Sequence, residues 1–211
     1  MLSGLGDFGL ELRRHEEVAS VFQRSVAMCR AIGDREGEAR ALCGLGRCEN
    51  HMRRFEQAIE CELQALLISR EIGYPYRQGV ALYHLGEAYC DMGRLADALA
   101  CHRQALAIRQ ELGDRWNEGV SLTDLGRVFC ELHRFEDAID CEERSLAIAR
   151  EVGHRWGEGR SLEVLGIALL RTQGVEAARG CWRQALKIFT GLGAPQADDL
   201  RVRLTGTLDA P

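Results

Sequence analysis

Nine cysteines and six histidines are the side chains of widest chemical reach in this 211-residue chain. Cys61, Cys101, Cys141 and Cys181 recur in step, as do Cys90 and Cys130. Equivalent positions in stacked helical units lie about 8–10 Å apart, beyond the Cα reach of a disulfide. Zinc ligands must converge on one point, and a ladder does not. The pairs Cys48/His51 and Cys130/His133 each put two donors on one helix face, with no third donor evident. Cysteine is also a small buried hydrophobe by preference, so the nine read as packing, with no cofactor and no metal expected. His84 and His102 stand alone within helices, outside any Ser/His/Asp or Cys/His order. Paired acids such as Glu16-Glu17 and Glu142-Glu143 read as solvated faces, and Glu62 is placed with Glu142 on the outer side of the second helices. Gly4-Leu5-Gly6-Asp7-Phe8-Gly9 spells the glycine pattern of a dinucleotide turn, which needs a preceding strand; only three residues precede it. None of these patterns makes an active site, and the chain is not expected to be an enzyme.

The elements that carry these residues repeat. Glycine returns at Gly33, Gly73, Gly113, Gly153 and Gly193, and Leu-Gly at residues 5–6, 45–46, 85–86, 125–126 and 165–166. Alanine keeps the same step at Ala58, Ala98, Ala138 and Ala178. A period of 40 residues marks a stack of like supersecondary units. In the unit from Gly73 to Leu112, Pro75 suits a first helical position. Val80, Leu82, Leu85, Ala88 and Tyr89 form a helical face. Asp91-Met92-Gly93-Arg94 breaks it, and Leu95, Ala98, Leu99, Ala105, Leu106 and Ile108 line a second helix. Gly113 closes that helix in a left-handed conformation, and Asp114 and Asp34 sit where N-caps belong. Gly86 and its equivalents lie inside the first helix at a cost of about 1 kcal/mol against alanine. They therefore mark close helix approach, for which the Ala98 series is the expected opposing surface.

Composition narrows the function. The net charge of -5 lacks the basic excess of a nucleic-acid footprint. No uncharged apolar run nears the roughly 18 residues of a membrane span. The N-terminus has no basic segment of the signal-peptide kind, and an odd cysteine count without CxxC fits a reducing, cytoplasmic setting.

Leu82, Leu85-Gly86, Tyr89, Ala98, His102 and Ala105 follow the pattern of the tetratricopeptide repeat, and Leu122, Leu125-Gly126, Phe129, Ala138, Glu142 and Ser145 follow it again. The sequence resembles that family over nearly its whole length. The Gly-Asp-Arg turns (residues 33–35 and 113–115) resemble its 40-residue subtype, known behind the NB-ARC-type ATPase of bacterial antibiotic-regulatory proteins. Glu49 departs from the aromatic of the first helices, and Glu62 and Glu142 from that of the second. The resemblance implies an all-α, right-handed superhelical solenoid of about five helix-turn-helix repeats with a C-terminal capping helix. The repeats are 1–32 (truncated), 33–72, 73–112, 113–152 and 153–192, with the cap and tail at 193–211 and its helix near Pro195 to Leu208.

The same resemblance puts a concave groove along the first helices. Its rungs are Arg40, Cys43, Arg47, Asn50 and His51; then Val80, Tyr83, Glu87, Cys90 and Asp91. The third holds Val120, Thr123, Arg127, Cys130 and Glu131, and the fourth Arg160, Glu163, Ile167, Leu170 and Arg171. This mixed-charge wall does not match the Lys/Asn carboxylate clamp of chaperone-binding relatives and suits an extended segment or helix of another protein. Tyr76, Trp116 and Trp156 share one repeat position, either covering helix ends or serving as an exposed anchor strip. The expected function is a protein-interaction module, the sensor or scaffold region of a bacterial regulator, whose open N-terminal repeat also offers a surface for self-association. A receptor for a small peptide signal and an enzyme or biosynthetic accessory protein on the repeat scaffold stay open as alternatives.

Overall fold

The structure, a computed structural model, describes the backbone of residues 2–206 and the side chains of residues 13–205. Ten helices and no strand occur among the described residues: α1 (Leu2–Ile32), α2 (Arg35–His51), α3 (Phe55–Glu71), α4 (Pro75–Asp91), α5 (Leu95–Glu111), α6 (Arg115–Glu131), α7 (Phe135–Glu151), α8 (Arg155–Thr172), α9 (Val175–Leu192) and α10 (Gln196–Gly206). Two compact units divide the chain, Met1–Ile108 and Arg109–Pro211, with the boundary inside α5.

Local chemistry sets the ends of the helices. The Asp34 carboxylate accepts from the Gly37 N–H at 2.8 Å, and that of Asp114 from the Asn117 N–H at 3.2 Å. Each satisfies a donor that the first helical turn leaves free. Pro75 opens α4. The turns at Gly73 and Gly113 need φ of +64° and +66°, which a Cβ would strain. At the turn inside each unit, Gly93 has φ +73°, but Arg53 and His133 adopt φ 60° and 57° with full side chains. The arginine of the two Gly-Asp-Arg turns, and Arg155 of the equivalent Gly-His-Arg turn, also have a partner the spacing did not reveal. Arg35 pairs with buried Glu38 at 2.8 Å, Arg115 with buried Glu118 at 2.6 Å, and Arg155 with buried Glu158.

In the first unit, α2 packs against α1 and α3, and α3 against α4. Leu42, Leu66, Leu82 and Leu85 fill the core with Ala39, Ala65, Ala81 and Ala105. Burying each leucine contributes about 1.5–3 kcal/mol. In the second, Trp182, Phe189, Leu162 and Leu200 form the equivalent core. Leu200 and Ala197 bring α10 onto α9, which covers that end. The helix expected to reach Leu208 is followed to Gly206; Leu208 and the tail 207–211 lie outside the described residues. α1 is one helix of 31 residues, without the internal turn of the later units, and it contains the whole Gly4–Gly9 stretch.

The repeat glycines do mark close approach, but their opposite number is not the alanine series. A Cβ on Gly46 would lie 2.7 Å from Glu62 Oε1, and one on Gly86 2.4 Å from His102 Cε1. On Gly126 it would lie 2.1 Å from Glu142 Oε1, and on Gly166 2.3 Å from Trp182 Nε1. Ala58, Ala98, Ala138 and Ala178 are buried, one helical turn earlier on the same helices. The larger side chain reaches over the glycine, and the alanine fills the space beside it.

Candidate functional site

Glu62 and Glu142, expected on solvated faces, are both 0% exposed. They occupy the second-helix position that carries His102 and Trp182 in the other repeats, and the space beside the glycine accepts any of the four. Burial pushes the Glu142 carboxyl well above its ordinary range, and Asp124 adds to the shift while Arg160 opposes it. Neither Glu142 oxygen has a hydrogen-bond partner. The hydroxyls beside it, of Thr123 and Ser161, are engaged with Ser145 and with each other at 2.8–3.2 Å.

Glu62 meets different company. His84 Nδ1 lies 3.0 Å from Glu62 Oε1, while Glu62 Oε2 has no hydrogen-bond partner. Burial raises the Glu62 carboxyl above its usual value, opposed by His84 and by the charge of Arg77. The buried Cys43 thiol completes a cluster: one donor atom each from Cys43, Glu62 and His84 lie within 4.8 Å of one another. Three helices supply them, α2, α3 and α4. The three residues stand 19 and 22 apart in the sequence, with no motif to join them; the signal was the family's aromatic position, held here by Glu62, read together with the 40-residue register.

A recess of about 80 Å³ reaches this cluster from the first-helix face. Arg47, Asn50 and Glu87 line it with Glu62 and His84, and so does His51. Asn50 Nδ2 donates to Asp91 at 3.0 Å, and the Tyr83 hydroxyl donates to Glu87 at 3.1 Å. The first unit therefore gathers Arg47, Asn50, Tyr83, Glu87 and Asp91 on α2 and α4. Arg40 is exposed farther along α2. His51 stacks on His15, with ring centroids 4.8 Å apart, and Cys48 packs with Ala19, Leu45 and Met52.

In the second unit, Arg127 pairs with Asp124 at 3.1 Å and Arg160 with Glu163 at 2.9 Å. Arg160 also lies over the Trp156 ring at 5.6 Å. Glu131 and Arg171 are exposed. Thr123 is buried in the hydroxyl cluster, so it faces the inside of the unit and not a partner. Tyr76, Trp116 and Trp156 are 43%, 49% and 43% exposed. His154 stacks on Trp116 at 3.7 Å and on Trp156 at 6.3 Å, making three rings in a row.

Paired helices of near-equal length, repeated at a fixed step and offering polar residues on the first helix of each pair, define a helical-repeat scaffold. A tetratricopeptide-repeat profile matches residues 1–71 and 77–151, and the chain belongs to the tetratricopeptide repeat family. No curated protein matches the sequence. Among solved structures it is similar to BtubC (BKLC) from P. vanneervenii, with TM-score 0.78 and 18% identity over 90% of this chain and 81% of that one. A STAND protein with a tetratricopeptide repeat sensor, from Pyrococcus horikoshii, gives TM-score 0.69 at 16% identity over 97% of this chain and 36% of that one. A Rap protein complexed with Competence and Sporulation Factor gives TM-score 0.69 at 15% identity, over 92% of this chain and 59% of that one. At these identities the likeness is one of fold. No helix among the described residues is long and apolar enough to cross a membrane.

Proposed function

We propose that the chain is a protein-interaction module that holds an extended segment or a helix of a partner protein against the first helices of its repeats. The observation that carries this reading is the rung around the recess, where Arg47, Asn50 and Glu87 stand together on α2 and α4. Arg127 and Arg160 give the first helices of the second unit the same mixed polarity. Side chains of this kind form charge-assisted contacts, and arginine and tyrosine are enriched among residues that dominate binding. The context we favour is the sensor or regulatory region of a bacterial signalling or transcription regulator, supported by the fold likeness to the STAND sensor. The likeness to the Rap complex supports a second reading, a receptor for a small peptide signal.

The test uses the intact chain as bait in a lysate of its own host, comparing what each variant retains. Arg47→Ala, Tyr83→Ala and Arg127→Ala should each weaken capture of the same partner, and capture should fall with added salt, because exposed charge pairs are screened. Glu56→Ala and Glu143→Ala, on exposed positions of α3 and α7, should leave it unchanged. Glu62 and Glu142 do not serve as such controls, since both are buried. Loss of capture in the α3 and α7 variants alone would overturn the assignment and turn attention to Tyr76, Trp116 and Trp156.

A further inference from the structure

We infer that Cys43, Glu62 and His84 form a binding site for a divalent transition-metal ion of the zinc class. A thiol, a carboxylate and an imidazole from three different helices are set with one donor atom of each within 4.8 Å of the others. Sulfur and nitrogen donors with one carboxylate oxygen suit Zn²⁺ and its neighbours, not Mg²⁺ or Ca²⁺. Glu62 is fully buried with Oε1 beside His84 and Oε2 unpartnered, so one of its oxygens has no hydrogen bond to give up to an ion. Three protein ligands leave a fourth tetrahedral position, and the recess lined by Glu62 and His84 gives an ion a way in.

Burial holds the Cys43 thiol and the Glu62 carboxyl above their ordinary values, Glu62 adds to the shift of Cys43, and Arg77 opposes both shifts. A bound cation supplies the positive charge that the two anionic ligands require. Cys43 binds as thiolate, Glu62 as carboxylate and His84 as neutral imidazole, and the protons these groups give up go to solvent. Around M²⁺ the three ligands then sum to zero charge. Arg77 faces a neutral group, so the ion and the guanidinium do not oppose each other.

The set is complete in one place only among positions equivalent to it. Eighty residues on, the same three positions are Thr123, Glu142 and Val164, which keep the glutamate alone. A buried glutamate alone recurs there, and the convergence of three donor atoms is particular to the first unit among the described residues. The site does not depend on the partner-binding reading above.

Cobalt(II) is the probe, titrated into the full chain kept reduced by a non-thiol reductant and then displaced by Zn²⁺. One equivalent should bind, with a thiolate-to-cobalt absorption in the near ultraviolet and a raised melting temperature. Cys43→Ser should abolish that absorption, and Glu62→Gln and His84→Asn should each weaken binding by more than the about 10- to 100-fold typical of losing an outer partner of a ligand. Cys48→Ser and Cys130→Ser, on the two Cys/His pairs legible in the sequence, should leave the spectrum unchanged. The wild-type titration stands even where a variant folds poorly. No binding by the wild-type chain at micromolar metal would overturn the site. So would a thiolate band that survives Cys43→Ser, or one unaffected by both Glu62→Gln and His84→Asn.

Discussion

At the scale of single residues, the contact between a first-helix glycine and the second helix decides what each repeat tolerates. A methyl group at Gly166 would press on the Trp182 indole, which is rigid and donates from Nε1 to the Glu163 carbonyl at 3.0 Å. At Gly126 it would press on the end of the flexible Glu142 side chain. Gly166→Ala should therefore cost about 1–3 kcal/mol. Gly126→Ala should cost less, because the carboxylate can turn aside and alanine returns about 1 kcal/mol of helix propensity. Urea denaturation compares the two, and equal losses would contradict the ordering. Glu142 itself has a pH signature. Its carboxyl holds a proton in the fold well above the pH, near 4.3, at which the unfolded chain releases it. Stability from this group is full below the unfolded value and falls as pH rises toward the folded one. Glu142→Gln removes that slope. The variant should match the wild-type melting temperature near pH 4.5 and exceed it at pH 7.5 by at least about 2–4 °C, equivalent to about 1 kcal/mol in a chain of this size. A variant no more stable than its parent at pH 7.5 would show that Glu142 is not held protonated.

The elements were largely legible from the amino-acid pattern, and the side-chain environments of the second helices were not. Gly33, Gly73 and Gly113 announced the helix ends, and Asp34 and Asp114 the starts, because caps depend on a few residues whose chemistry is local. Glu62 and Glu142 misled because a carboxylate in a helix usually faces water; only the register with His102 and Trp182 shows that they share a buried position. The rung residues Arg47, Asn50 and Glu87 follow from the repeat frame, whereas Cys43, Glu62 and His84 meet through packing across three helices, which no spacing rule states. One turn remains poorly matched to its sequence. Arg53 and His133 hold left-handed backbones that cost an ordinary residue about 1–2 kcal/mol. Their side chains gain little in return, Arg53 lying 5.8 Å from the Phe55 ring and His133 5.8 Å from that of Phe135. Arg53→Gly and His133→Gly should each stabilise by about 0.5–1 kcal/mol, after the greater freedom of glycine in the unfolded chain is deducted. Gly93→Ala should destabilise. The urea midpoints of the three variants decide it, and a loss on Arg53→Gly would mean that the guanidinium contact outweighs the backbone strain.

For the whole molecule, the distribution of thiols matters more than their number. All nine cysteines are free and at least half-buried, and they fall from Cys29 in α1 to Cys181 in α9. Burial pushes Cys61 and Cys141 up to about 12 and Cys101 and Cys130 up to about 11, so at neutral pH these groups are thiols and not reactive thiolates. In an array of repeats the free energy of local opening differs from one unit to the next. An alkylating reagent at pH 8 should therefore label the folded chain slowly, each cysteine at the rate at which its own surroundings open, and label the urea-unfolded chain at once. Mass spectrometry of the peptides would read those rates one site at a time, with Cys43, at 3% exposure, expected to be slower than the half-buried Cys29. Uniform fast labelling would contradict the burial. The cysteine ladder thus makes the protein its own recording instrument: a set of natural isotope-free tags, spaced along the chain, that reports where it breathes without the insertion of a single foreign probe.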